Sequence, residues 1–169
     1  QWGMDGALRD HAQHMLPLCY YRPELAKSSL RFIMQNICTD GDIKYTYQAY
    51  GIATNLLWKT SDQQLYFFIS LYEYLRITKD YKFLNELTHY YPRKANYQGS
   101  TFDKLLYSYT YLRDEINRGP HGLIRLFNSD WNDAVFHELP INKYYFEAES
   151  HMNSAMAIYI IPEWVKLLR

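Results

Sequence analysis

The chain has 169 residues, its 18 Lys and Arg balance 18 Asp and Glu, and 48% of its residues are hydrophobic. This length and composition describe one globular unit that can bury a core. A net charge of zero without a basic stripe argues against a nucleic-acid binder and against a surface built for anionic membranes. The apolar run within 65–71 is far shorter than the roughly 20 residues that span a bilayer.

Two cysteines, Cys19 and Cys38, are too few for a disulfide framework. They indicate reduced thiols in a cytoplasmic protein, with one disulfide between them as the open alternative. The chain begins at Gln1 without an initiator Met and ends at Arg169 inside an apolar-periodic stretch, so we expect a fragment. Its 18 tyrosines suit a carbohydrate cleft, and the alternative is ordinary packing of buried helices.

The first part of the chain predicts a helical hairpin followed by a long loop. Residues 7–21 are helix-forming up to Pro17, and a second helical run with one apolar face follows Pro23. A strong turn over 39–42 ends this run. The polar, aromatic stretch 43–60 is predicted to be a long loop, and loops of that length are usually functional.

The clearest helix is predicted to begin with Ser61 as N-cap and Gln64 completing a capping box. Apolar residues occupy both sides of this helix over 65–75, which indicates burial nearly all round. The later pattern predicts a short helix through Leu87, a loop over 92–99 and a helix over 102–116. An irregular stretch over 122–142 and a helix over 146–169, which Pro162 kinks or splits, complete the chain. Strands are at most minor, so the class is all-α. A closed ring of helical hairpins with functional loops at one end is favoured over a solenoid, because no fixed-period repeat occurs.

The loop segment 128–133 places Asp130 and Asp133 around an indole. Trp131 beside a carboxyl group would raise its pKa, as an acid that must keep its proton near neutrality requires. The same ring could stack on a sugar. The alternative is that Asp130 and Asn132 make turn hydrogen bonds while Trp131 anchors the core.

Polar groups also gather near the start of the first helix, where Asp10 and His14 share a face. His11 and His14 alone are a weak metal pattern without a third ligand, so no metal site is expected. Arg9 and Asp10 are interpreted as groups that grip sugar hydroxyls, with a plain surface ion pair as the alternative.

Acidic residues are predicted in the first turn of the final helix, where capping is a sufficient explanation. Glu149 becomes a site residue only if that helix end points into the same cavity as Asp133. No phosphate-binding Gly-rich loop and no nucleophile elbow occurs in the sequence, so nucleotide hydrolysis and serine-type acyl transfer are poorly supported.

A series of short motifs runs through nearly the whole chain. They are Arg9-Asp10 with Gln13, Ser61-Asp62 followed by Glu73-Tyr74 and Thr78-Lys79-Asp80, His121-Gly122-Leu123, Asp130-Trp131-Asn132-Asp133, and Glu149-Ser150. Their order resembles that of the inverting glycoside phosphorylases typified by cellobiose and chitobiose phosphorylase, and the Asp-Trp-Asn-Asp element is the most specific of them. The resemblance implies an (α/α)6 ring of helical hairpins, and residues 1–169 would then be a fragment of one such catalytic domain.

The resemblance also implies roles for individual residues. Asp133 would be the general acid, and Trp131 and Asp10 would contact the sugar on the non-reducing side of the cleaved bond, with Arg9 adjoining it. The candidate substrate-binding set is completed by Asp130, Asp62 and Glu149.

Inversion needs one acid and an opposed water or phosphate. Phosphate is already anionic and requires no protein base, so the single convincing acid, Asp133, fits phosphorolysis of a β-linked disaccharide or oligosaccharide to a sugar 1-phosphate. The alternatives are an inverting hydrolase of the same fold, with Glu149 or a residue beyond Arg169 as base, and a non-catalytic helical sugar-binding or scaffold domain. The expected partners are an oligosaccharide and phosphate as co-substrate, with no cofactor, nucleic acid or membrane; a homodimer of the full-length protein is one expected assembly.

Overall fold

Helices make up most of the structure. The computed structural model describes residues 4–48, 52–54, 59–94, 96–127, 129–132 and 147–169. In chain order the α-helices are α1 (Leu8–Tyr21), α2 (Pro23–Met34), α3 (Gln63–Thr78), α4 (Thr101–Tyr111) and α5 (His151–Leu167). A 3-10 helix spans Tyr81–Asn85, and a π-helical turn over Leu112–Ile116 continues α4.

The helices pack as hairpins around α3. Helices α1 and α2 are joined through Arg22 and pack against each other. Both contact α3, and α5 also packs against α3. The fold is all-α and forms part of an (α/α)6 barrel, as the sequence predicts. The core follows this arrangement, because Leu65, Phe67, Phe68, Leu71 and Leu75 of α3 are all buried. The prediction of a helix buried nearly all round is therefore confirmed.

Short strands accompany the helices and correct two loop predictions. Strands β1 (Met4–Ala7), β2 (Thr46–Gln48) and β3 (Ile52–Thr54) form an antiparallel sheet, so the predicted loop 43–60 contains a hairpin. Strands β4 (Leu87–His89) and β5 (Gln98–Ser100) form a second hairpin, and the end of the predicted loop 92–99 therefore belongs to β5. Each strand is only three or four residues long, too short for a clear alternation.

Two predicted helix starts are wrong. Ser61 is not the N-cap of α3: Asp62 occupies that position, and the Ser61 hydroxyl donates instead to the carbonyl oxygen of Leu126 at 2.9 Å. The last helix begins at His151 with Ser150 as N-cap, so Glu149 precedes the helix and does not lie in its first turn. Pro162 lies inside α5 without splitting it.

Cys19 and Cys38 are free thiols, and burial raises the pKa of each to about 11. Over the described residues, no helix combines the length and apolar character that crossing a membrane requires.

Candidate active site

The N-terminal ends of α1 and α3 are held together by a buried ion pair. Arg9, in the first turn of α1, donates from Nη1 to the Asp62 carboxylate at 3.1 Å. Only 6% of the Arg9 side chain and none of the Asp62 side chain is exposed. Two site residues that the sequence named separately are therefore partners.

The environment of Asp62 has two opposing effects. Burial raises the pKa of Asp62 to about 6, while the positive charge of Arg9 and its hydrogen bond act in the opposite direction. Burial is the larger effect. Near neutral pH the group is mostly ionised and is stabilised by Arg9, but mild acidification would protonate it.

Asp130 is the centre of a turn that three groups fix. Its carbonyl oxygen accepts a second hydrogen bond from Arg9 at 2.9 Å. One carboxylate oxygen accepts from the backbone N–H of Asn132 at 3.0 Å, and the other accepts from the Ser150 hydroxyl at 2.7 Å. The sequence alternative in which Asp130 and Asn132 make turn hydrogen bonds predicted this bond between them.

The segment that leads to this turn lies between the starts of α3 and α5. The backbone N–H of Ser61 donates to the carbonyl oxygen of Ser129 at 3.2 Å. The Ser61 hydroxyl also accepts from the side-chain amide of Asn153, in the first turn of α5, at 2.8 Å. On the α5 side, the N–H of Leu126 donates to the carbonyl oxygen of Ala148 at 2.8 Å. Side chains and backbone from three helix starts thus set the position of Leu126, Ser129 and Asp130.

Trp131 follows Asp130 and is not a core residue. It is 58% exposed, which contradicts the alternative that this ring anchors the core. Asp10 is also exposed, one residue after Arg9 at the same end of the helices. An exposed indole on an anchored turn can stack on a sugar ring, since its backbone position is fixed while its face is open to solvent. Asp133, the predicted general acid, lies outside the described residues.

Glu149 binds the turn after α4. Its carboxylate accepts from the backbone N–H groups of His121 and Leu123 at 3.0 and 3.1 Å and lies 2.9 Å from the His121 ring nitrogen Nδ1. Burial would raise the pKa of Glu149, but the hydrogen bonds from His121 and Leu123 outweigh it and lower that pKa. Gly119 packs directly against this carboxylate, because a Cβ at this position would lie 2.5 Å from the Glu149 side chain. Two of the sequence motifs, His121-Gly122-Leu123 and Glu149-Ser150, are therefore in contact.

The histidines near the start of α1 are not grouped as a metal centre. His11 stacks against Phe32 with ring centroids 4.8 Å apart, and His14 is exposed. Within the described ranges, no group of three His, Cys, Asp or Glu residues could hold a metal ion.

Sequence reasoning missed the contributions of Ser61, Ser150 and Asn153 to this region. Serine and asparagine are common at helix starts, so their types alone pointed only to capping. Ser150 does cap α5, accepting from the N–H of Asn153 at 3.1 Å. The contacts that connect these residues to the loop and to one another join positions 20 to 92 residues apart, which no local pattern reveals.

The guanidinium, the carboxylates and the exposed indole gathered at one end of the helical hairpins suit a site that binds a sugar. The family model of the Glycosyl hydrolase 94 superfamily, catalytic domain, matches residues 3–169, and the chain belongs to this family. The resemblance seen in the sequence motifs is thereby confirmed at the level of the family. A search of curated proteins finds none that matches the chain.

Proposed function

We propose that this protein cleaves a glycosidic bond with inversion, by phosphorolysis of a β-linked disaccharide or oligosaccharide to a sugar 1-phosphate. The observation that carries the proposal is the anchored Asp130 turn, which presents Trp131 to solvent immediately before Asp133. Family membership supports the reaction class, and the turn supports the location of the site. The proposed domain is a single (α/α)6 catalytic domain of which residues 1–169 are a part.

In this mechanism Trp131 stacks on the sugar and Asp10 binds its hydroxyls on the non-reducing side of the scissile bond. Asp133 donates its proton to the departing glycosidic oxygen while a phosphate oxygen attacks the anomeric carbon from the opposite face. The bond from the anomeric carbon to the leaving sugar breaks as the bond to phosphate forms. The role of Asp133 is proposed from its place in the sequence.

The buried pair of Arg9 and Asp62 holds the backbone of the turn at this site. Both side chains are occupied by each other and by the Asp130 carbonyl oxygen, so we assign them to holding the turn more than to contacting the sugar. A bidentate or paired guanidinium inside a protein fixes the orientation of what it binds.

Phosphorolysis is favoured over hydrolysis by the surroundings of Glu149. A base for water attack would need a free carboxylate oxygen beside the sugar. Both oxygens of Glu149 are instead engaged by the His121 turn. Phosphate needs no such base because it is already anionic at neutral pH.

The test is a phosphate-dependence assay on the intact protein. Cellobiose and N,N′-diacetylchitobiose are incubated with and without inorganic phosphate, and free sugar and sugar 1-phosphate are measured. The proposal predicts sugar 1-phosphate that appears only with phosphate. Release of free sugars alone, independent of phosphate, would instead identify an inverting hydrolase. Binding without turnover of either sugar would indicate a non-catalytic sugar-binding domain.

The acid is tested by Asp133→Asn, with Asp130→Asn as the matched control. Positioned acid catalysis contributes about 10²–10⁴-fold, so Asp133→Asn should reduce turnover by that order with little change in sugar binding. Asp130→Asn should have a smaller effect, because its amide oxygen can still accept the bond from Asn132 that closes the turn, although the acceptor that Ser150 uses is lost. A larger loss for Asp130→Asn would show that the acid is assigned to the wrong residue.

A further inference from the structure

Ser150 makes two different hydrogen bonds with one hydroxyl group. As an acceptor, its Oγ receives the N–H of Asn153 and so caps α5. As a donor, the same hydroxyl gives its proton to the Asp130 carboxylate at 2.7 Å. Ser150 is only 3% exposed, so its hydroxyl is largely shielded from water. Capping uses the oxygen lone pair alone and leaves the second bond without an explanation in helix stability.

The second bond acts on the turn that carries Trp131. Asp130 is bound through its carbonyl oxygen by Arg9, through one carboxylate oxygen by the N–H of Asn132, and through the other by Ser150. Of these, Asn132 belongs to the turn itself, and Arg9 holds only the backbone. Among the described residues, Ser150 is therefore the contact that connects the Asp130 side chain, and the turn closed on it, to a helix.

A bond between a hydroxyl and a carboxylate is short and strong because the acceptor is charged. Its distance of 2.7 Å lies near the range for such charge-assisted bonds. Helix α5 is in turn fixed against α3, since Trp164 donates to the carbonyl oxygen of Phe68 at 3.1 Å and Asn153 donates to Ser61 at 2.8 Å. Asp130 is thus anchored to the packed helices and not to another loop.

We infer that Ser150 is a positioning residue for the reaction: its hydroxyl locks the Asp130 turn and so sets the placement of the acid that follows this turn in the chain. The inference rests on the proposed function. Ser150 itself has no contact with the substrate in this scheme, and it acts through Asp130. A misplacement of about 1 Å in a reacting group can reduce the rate by about 10²-fold, so one lost anchor is enough to matter.

Ser150→Gly separates the two roles of the hydroxyl. Glycine is accepted at an N-cap with only a small loss of helix stability, but it cannot donate to Asp130. Ser150→Thr restores both the cap and the donor. The matched control is Ser70→Ala, which removes another buried hydroxyl whose bonds, to the carbonyl oxygens of Tyr66 and Phe67, stay within α3.

The readout compares two substrates of the intact protein: the disaccharide that it converts in the phosphate assay, and the glycosyl fluoride of the same sugar and anomeric configuration. Fluoride leaves with little protonation, so it reports on folded enzyme and sugar binding without the acid step. We expect Ser150→Gly to lower kcat on the disaccharide about 10–100-fold and on the fluoride no more than about 3-fold. Ser150→Thr should recover most of the loss, and Ser70→Ala should stay within about 2-fold of the wild type on both substrates.

Equal losses on the two substrates would show that Ser150 is only structural, and wild-type rates for Ser150→Gly would show that the bond is dispensable. Either result overturns the inference. Asp133→Asn, measured alongside, separates this failure from that of the proposed function. If Asp133→Asn is selective for the disaccharide while Ser150→Gly is not, the positioning role alone fails. If Asp133→Asn shows no such selectivity, the proposed acid fails, and the inference fails with it.

Discussion

Among the described residues, Arg9 and Lys104 are buried basic side chains that are bound in different ways. Arg9 has a carboxylate partner, Asp62, and also binds the Asp130 carbonyl oxygen. Lys104 is completely buried in α4, and its Nζ donates to the carbonyl oxygens of Met34 and His89 at 2.9 and 2.8 Å while lying 3.8 Å from the centre of the Tyr90 ring. Among the described residues no carboxylate forms an ion pair with Lys104.

The difference follows from what each cation holds. Lys104 connects the end of α2 to the β4 strand through the carbonyl oxygens of Met34 and His89. Burial disfavours the charged form of this side chain, so it needs no negative partner. Arg9 holds a loop segment against two helix starts, where N–H groups predominate and a negative partner is required. A buried ion pair is thus found at the candidate site, and a cation bound only to neutral groups is found in the scaffold.

The largest expected effect comes from removing one cation at a time. Arg9→Met leaves the Asp62 carboxylate buried without its partner, and breaking a buried pair in this way costs about 3–5 kcal/mol. Lys104→Met leaves two carbonyl groups without a partner, at about 1–3 kcal/mol. It also removes a charge that burial disfavours, so its net loss at neutral pH should be smaller than that figure. Urea unfolding of the intact protein at neutral pH measures both values. An equal or larger loss for Lys104→Met would contradict the distinction between the two cations.

The next effect is a pH dependence produced by Lys104. Burial lowers the pKa of Lys104 to about 7, against about 10.4 in an unfolded chain. Between these values the unfolded chain binds more protons, so the free energy of unfolding should rise with pH from about 7 to about 10, by at most about 1.4 kcal/mol per pH unit. The stabilisation is lost as the pH falls through 7. Lys104→Met should lack this rise, and a parallel pH profile for the two proteins would refute the assignment.

Asp62 should produce a smaller dependence of the opposite sign at acid pH. Its pKa is raised to about 6, against about 3.9 in an unfolded chain. The folded protein therefore binds the extra proton between these values, and the free energy of unfolding should fall as the pH rises from about 4 to about 6. This contribution is complete below pH 4. Asp62→Asn should remove the slope in this window, and a variant that keeps it would show that another group titrates there.

The sequence predicted helices well where their patterns are local. The apolar periodicity of α2 and the apolar residues on both sides of α3 identify these helices, because each pattern lies within a few turns. The sheet of β1, β2 and β3 escaped prediction, since Met4 pairs with Gln48 and such short strands have no period to detect.

The candidate site shows the same limit. Arg9, Asp62 and Asp130 were named as separate site residues, but their mutual bonds span 53 and 121 positions. The Ser61 hydroxyl was assigned to a cap by its local context, whereas in the folded chain it donates to the carbonyl oxygen of Leu126 and accepts from the side-chain amide of Asn153. The exposure of Trp131 also depends on that packing and could not be decided from the order of residues.

The carboxylate of Glu149 has a mechanical consequence for the loops on either side of it. Glu149 directly precedes Ser150 in the chain, and its carboxylate accepts hydrogen bonds from the backbone of the His121 turn. Gly119 packs closely against the same carboxylate. The turn after α4 and the segment that enters α5 therefore move together as one unit. A displacement of one segment is therefore transmitted to the other through the Glu149 carboxylate. A shift of Ser150 would move the His121 turn without any direct contact between these two residues.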